Sequence, residues 1–283
     1  FPEHLNHIYT NSYKNIPIIN SDQLMPVVIF SHGITGTRHL HQAMYEHLVS
    51  HGYIVVAPDH SFDANLTIFP DGHTADYRSN ITGHPDSIHV RTKQMDTRAA
   101  DISFILDQME RIQSGEIKSQ INGKIDLEKI AVGGHSYGGS TATVASQRDK
   151  RINACFVLDS WISPVPQETI EVGVHVPFLF MGRPTWQGSD YPGNYPRLDS
   201  LMVHSSDPKY RLIIKETKHL DFSDIPLFSP IIGYVLDVGS LSASVSIPLL
   251  NELVYGFLEK HLTEQPSSHF DEMIQNELII TIP

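Results

Sequence analysis

Short apolar runs punctuate the chain: PVVIFS at 26–31, YIVVAP at 53–58, KIAV at 129–132, INACFVL at 152–158, VPFLFM at 176–181 and YRLII at 210–214. Their apolar residues fall on consecutive rather than alternate positions, which is the pattern of strands buried on both faces of a parallel sheet. Between the runs the apolar positions change to helical spacing. Leu40, Met44, Leu48 and Val49 share one face over 38–51, with Gly52 as the stop. Met95, Ala99, Ile102, Ile105, Leu106, Met109 and Ile112 do so over 93–112, and Leu249, Leu250, Leu253, Val254, Phe257, Leu258 and Leu262 over 243–262. Strands and helices alternating in this way predict a mostly parallel, doubly wound central sheet flanked by helices. Residues 1–25 are polar and broken by Asn and Pro, with Tyr9 and 16–19 as possible edge-strand pieces. No repeat and no linker-like change of composition interrupts 1–283, so one domain is expected. The polar stretch 59–92 is too long for an ordinary connection and is expected to form a rim or lid over a site.

Composition narrows the function more than the fold. A net charge of −12 at pH 7 leaves no basic face for nucleic acid. No apolar run is long enough to cross a bilayer. The single cysteine, Cys155, excludes an internal disulfide. The chain begins at Phe1 rather than methionine, so a preceding segment is expected, and with it an extracellular location ahead of a cytoplasmic one. His39, His41, His47 and His51 invite a metal reading, but they come with no carboxylate ligand and no zinc-type spacing, so neither a metal nor any other cofactor is expected.

The chemistry is concentrated after the run at 129–132, in Gly134-His135-Ser136-Tyr137-Gly138. A serine with glycine two residues before and two after it, between a strand and a small-residue helix, has the form of a nucleophile elbow. The tight turn strains the serine backbone and leaves no room for side chains at the two glycines. A serine hydroxyl needs a base, and the base needs an anion that fixes its tautomer. His219 directly follows the run at 210–214 and is the preferred base among 17 histidines. Two acids compete for the third place. Asp159 ends the run after the elbow, and Asp190 lies in the loop after the following one. The order serine, acid, histidine is that of the α/β-hydrolase fold. Oxyanion donors would be the backbone N–H of Tyr137 and one from His32-Gly33-Ile34.

Several of these segments together resemble the platelet-activating factor acetylhydrolase family of the α/β-hydrolase fold. They are Phe30-Ser31-His32-Gly33, Gly134-His135-Ser136-Tyr137-Gly138-Gly139, Leu158-Asp159-Ser160-Trp161 and His219-Leu220-Asp221-Phe222-Ser223-Asp224. Asp159 follows Ser136 by 23 residues, as in that family, and this favours it over Asp190. The resemblance implies Ser136 as nucleophile, Asp159 as acid, His219 as base, and Ile34 and Tyr137 as oxyanion donors. It also implies a substrate pocket with Trp161 in its acyl wall; Phe222, beside His219, is expected in the same pocket. The implied activity is calcium-independent hydrolysis of a phospholipid with a short or oxidised acyl chain at its central glycerol carbon, like that of a 1-alkyl-2-acetylglycerophosphocholine esterase. Tyr137 stands where the animal members carry phenylalanine. Relatives on this fold that cleave simple carboxylic esters or polyesters offer an alternative function, and a non-catalytic binding module is a more distant one. Residues 225–236 are strongly apolar. They are either core and pocket wall under the His219 loop or an interfacial patch that meets lipid.

Overall fold

The structure, a computed structural model, describes residues 10–19, 22–81, 84–189, 191–229, 231–263 and 268–282. In chain order the strands are β1 (Met25–Ser31), β2 (Ile54–Val56), β3 (Leu66–Ile68), β4 (Thr74–Asp76), β5 (Ile125–His135), β6 (Ala154–Leu158), β7 (Phe178–Gly182), β8 (Lys209–Ile214) and β9 (Ile279–Ile282). The helices are α1 (Gln42–Ser50), α2 (Ser87–Gln113), α3 (Tyr137–Arg148), α4 (Gln167–Val172), α5 (Asn194–His204), α6 (Ala243–His261) and α7 (His269–Met273). Seven strands form the central sheet in the order β2-β1-β5-β6-β7-β8-β9, and β3 pairs with β4 in a separate hairpin. The large sheet is parallel except at its edge, where β9 runs antiparallel to β8, with Arg211 opposite Ile282 and Ile214 opposite Ile279.

Each face of the sheet carries its own core. On one face α1 and α6 bring Met44, Leu48, Leu253 and Phe257 against Val28, Phe30, Phe156 and Leu179. On the other, α2, α3 and α5 bring Met95, Ile102, Val144 and Leu198 against Ile29, Val132 and Phe180. Every apolar run found in the sequence is a strand of this sheet, which accounts for consecutive rather than alternating burial. The chain leaves β1 in one direction for β2 and crosses back to β5 on the other side. This places the topological switch at the carboxyl ends of β1 and β5, that is at Ser31 and His135.

The structure departs from the sequence expectations at several points. Residues 16–19 form no strand, with Ile16 and Ile19 exposed; Tyr9 lies outside the described residues. α2 begins at Ser87, earlier than its apolar spacing indicates, because its buried stripe runs through Arg91 and Arg98 as well as Met95, Ile102, Leu106 and Met109. The stretch 59–92 divides in two. His60, Asp63, Ala64 and Thr67 are buried, while Phe62, Leu66 and Ile68 are exposed. The apolar segment 225–236 is not core. Leu227, Ile231, Tyr234, Val235 and Leu236 are all exposed, Tyr234 by 92%.

Candidate active site

Three strand ends and one turn meet at Ser136. The residue sits between β5 and α3 with φ 57° and ψ −121°, a conformation that L residues other than glycine rarely adopt. A Cβ on Gly134 would lie 2.2 Å from the Gly138 carbonyl oxygen, and one on Gly138 would lie 2.0 Å from that of Ser31. Both distances are far inside van der Waals contact, so only glycine allows strand, turn and helix to close this tightly. The elbow is pinned on both sides of the serine. Ser136 N–H donates to the Leu158 carbonyl at 3.0 Å, and Trp161 N–H donates to the Ser136 carbonyl at 3.1 Å.

The Ser136 Oγ lies 2.9 Å from His219 Nε2, and His219 Nδ1 lies 2.6 Å from Asp159 Oδ2. A carboxylate can only accept, so Nδ1 carries the proton and Nε2 is left to accept from the serine hydroxyl. His219 opens the short 3₁₀ turn His219–Phe222 that follows β8, and its side chain is 26% exposed. The turn is fixed by Asp221, whose Oδ2 accepts from the N–H groups of Lys218 at 2.7 Å and Gly239 at 2.6 Å. Asp224 ties the next residues to α1 by accepting from Ala43 N–H at 2.9 Å.

Asp159 has no solvent exposure and φ 39°. Besides His219, its carboxylate accepts from Arg183 N–H and Trp186 Nε1–H, both at 3.2 Å to Oδ1, while the Arg183 guanidinium lies 3.2 Å from Oδ2. Arg183 also lies over the Trp186 ring at 3.9 Å, and that ring meets His219 edge-on with centroids 5.5 Å apart. A buried carboxylate surrounded by donors is held in one orientation. Sequence reasoning missed Arg183 and Trp186, because they lie in an irregular loop whose only visible signals were Pro, Gly and Tyr. Asp190, the alternative acid, lies outside the described residues.

The proposed oxyanion donors belong to two segments next to Ser136. Tyr137 is the first residue of α3, so its N–H belongs to the helical turn that has no acceptor within the helix. A Cβ built on Gly33, the residue before Ile34, would be 3.2 Å from the Ser136 Cβ, which places that loop against the serine. Thr35, next to Ile34, is a further non-glycine residue with positive φ, at 56°. Trp161 is buried beside Tyr137 and Tyr191, with ring centroids 5.8 and 4.4 Å away. Phe222, expected in the same pocket, is not brought there. It is 1% exposed and packs with Met44, Leu158 and Leu250 in the core on the α1/α6 face, where it anchors the His219 turn from behind.

His135 and His41 are buried, neutral side chains near the site. The His135 ring packs against that of His219 at a tilt of 33°, with centroids 4.6 Å apart, and lies 3.0 Å from the His219 carbonyl through Nε2. Burial, then the neighbouring His219, holds the pKa of His135 well below the usual imidazole range, so its Nε2–H donates to that carbonyl. Burial likewise takes His41 down to about 3. The His47 and His51 rings lie 4.6 Å apart at a tilt of 50°. Among the described residues no three of His, Cys, Asp and Glu converge as metal ligands would.

Comparison with known proteins identifies the family. The model of the family described as platelet-activating factor acetylhydrolase, isoform II, matches residues 3–277. The chain belongs to that family. Platelet-activating factor acetylhydrolase of Canis lupus familiaris is 29% identical over 95% of the chain, and the chain spans 64% of that protein, less than two-thirds of its length. A cutinase of Thermobifida alba is 27% identical over 72% of the chain and 53% of its own length. Among solved structures, a ferulic acid esterase from Streptomyces cinnamoneus superposes with a TM-score of 0.73 at 23% identity, covering 93% of this chain and 75% of that one. That likeness fixes the fold as the α/β-hydrolase fold.

Proposed function

We propose that the protein is a serine ester hydrolase acting on phospholipids with a short or oxidised acyl chain, by a Ser136–His219–Asp159 triad. The unbroken hydrogen-bond path from a fully buried carboxylate through His219 to a strained serine carries this reading. His219 Nε2 takes the hydroxyl proton as Ser136 Oγ attacks the ester carbonyl. The negative charge that develops on the carbonyl oxygen is met by the N–H groups of Tyr137 and Ile34. His219 returns the proton to the departing alcohol, and water then repeats the sequence on the acyl-serine. Asp159 keeps the imidazole in its working tautomer and faces the imidazolium charge. No step calls on a metal or other cofactor. The family, with the buried Trp161 and Tyr137 beside the nucleophile, supports a short acyl group.

The similarity to a cutinase favours a second reading, hydrolysis of polyesters or simple carboxylic esters. A substrate series separates the two. The acetyl phosphatidylcholine analogue and p-nitrophenyl acetate and butyrate are expected to be cleaved, with kcat/KM falling about tenfold or more from butyrate to octanoate. Release of monomer from a polyester film at a rate above that of phospholipid hydrolysis would assign the protein to the second reading.

The exposed Leu227, Ile231, Tyr234, Val235 and Leu236 follow the His219 turn in the chain, which supports contact with a lipid surface from which substrate is drawn. With phosphatidylcholine vesicles, Leu227→Glu and Val235→Glu are each expected to lower co-sedimentation about tenfold, the loss of roughly 1.5 kcal/mol of apolar burial. Unchanged partition in both variants would remove this surface from the account.

A further inference from the structure

Beneath the His32-Gly33-Ile34 loop lies a buried polar layer that the triad does not use. Arg98, on the inner stripe of α2, is 2% exposed. Its guanidinium donates to the His32 carbonyl, pairs with Asp63 Oδ2 at 3.4 Å and lies over the Tyr137 ring at 4.9 Å. One cation therefore touches both arms of the proposed oxyanion hole. We propose that Arg98 is a positioning residue that sets the Ile34 and Tyr137 donors together, through the His32 carbonyl on one side and the Tyr137 ring on the other. This rests on the Ser136 hydrolase reading.

The loop that carries Ile34 needs such a support. Thr35 is held at φ 56°, and its N–H donates to the Asp63 carbonyl at 3.1 Å. The residue that neutralises Arg98 thus also fixes the strained turn through its main chain. The His32 ring closes the loop from within. Its Nδ1 lies 2.7 Å from the Gly33 carbonyl and its Nε2 accepts from His60 N–H at 3.0 Å, so the proton sits on Nδ1 and is donated. His60 is held in turn by Asp101 at 2.7 Å and Ser31 at 2.6 Å. These three form a second serine–histidine–carboxylate chain whose serine is fully buried, which suits it to support rather than to attack.

Helix packing does not account for Arg98. Its neighbours on the same stripe are Met95 and Ile102, and an apolar residue would fill that seam without burying a charge. Arg91, two turns earlier, completes the bracket. Its carbonyl accepts the Tyr137 hydroxyl, the group that distinguishes this elbow from one bearing phenylalanine. The buried half of 59–92 is on this reading the foundation of the oxyanion loop.

The test compares Arg98→Met and Arg98→Lys with the wild-type protein, per active site titrated, using p-nitrophenyl butyrate and inhibition by phenylboronic acid, a tetrahedral mimic formed on Ser136. Arg98→Met is expected to lower kcat about 100-fold with KM changed less than about twofold, and to weaken boronate inhibition by a similar factor. Arg98→Lys, which keeps a cation and a donor, is expected to recover about tenfold of that loss. If Arg98→Met does not fold, Arg98→Lys alone must show a kcat about tenfold below wild type with KM unchanged. A folded variant with wild-type kcat and wild-type boronate affinity per site would overturn the proposal. Hydrolysis that survives Ser136→Ala would instead overturn the reading on which it rests.

Discussion

Asp159→Asn is expected to reduce kcat about 10⁴-fold, roughly 5 kcal/mol of transition-state stabilisation, with little change in KM. The side chain is fully buried; it accepts from His219 Nδ1–H, Trp186 Nε1–H and Arg183 N–H and is ion-paired with the Arg183 guanidinium. An amide offers one acceptor oxygen and one NH₂ group. If the oxygen stays with Trp186 and the Arg183 N–H, the NH₂ faces both His219 Nδ1 and the guanidinium. His219 must then accept at Nδ1 and carry its proton on Nε2, the atom 2.9 Å from Ser136 Oγ, where it can no longer take a proton. Arg183 would lose its counter-ion inside the fold, so the variant is also expected to be less stable by about 3 kcal/mol. A steady-state comparison with a thermal melt checks both effects. A loss in kcat of less than tenfold would mean that the acid lies elsewhere, with Asp190 the first alternative.

Much of this arrangement was legible in the sequence. Strands buried on both faces write themselves as consecutive apolar residues, so β1, β5, β6, β7 and β8 were visible without ambiguity. The two glycines flanking Ser136 are equally direct, because backbone oxygens of Gly138 and Ser31 stand where their Cβ atoms would be. Asp159 ends the run after the elbow and His219 follows the run at 210–214, and the carboxyl ends of strands in such a sheet converge. The choice of Asp159 over Asp190 came from the family resemblance.

What escaped was governed by partners distant in sequence. α2 extends back to Ser87, but Arg91 and Arg98 break its apolar pattern, and their burial depends on Asp63 and Tyr137. β9 is an edge strand whose place depends on β8 having an open side, and only half of its residues are shielded. Phe222 was drawn toward the pocket by its nearness to His219 in the chain. A 3₁₀ turn reverses its direction, so it points into the core as His219 faces Ser136. For the segment 225–236 apolar composition alone left two readings open, core or interfacial patch. Leu227, Ile231 and Tyr234 are exposed, since α1 and α6 already cover that face of the sheet.

The largest effect belongs to the nucleophile itself. Ser136→Ala removes one oxygen, whose hydrogen-bond partner is His219 Nε2, and leaves the strained main chain and its bonds to Leu158 and Trp161 in place. The fold is therefore expected to be unchanged, while kcat should fall by about 10⁶, roughly 8 kcal/mol, to what the oxyanion donors and binding alone can supply. The most direct measurement is hydrolysis of an acetyl-bearing phosphatidylcholine by wild-type protein and Ser136→Ala, together with intact mass after exposure to a fluorophosphonate. The account predicts rapid hydrolysis and a single adduct on the wild-type chain, with neither on the variant. Turnover by Ser136→Ala above about 1% of wild type, or an adduct that survives the substitution, would contradict it.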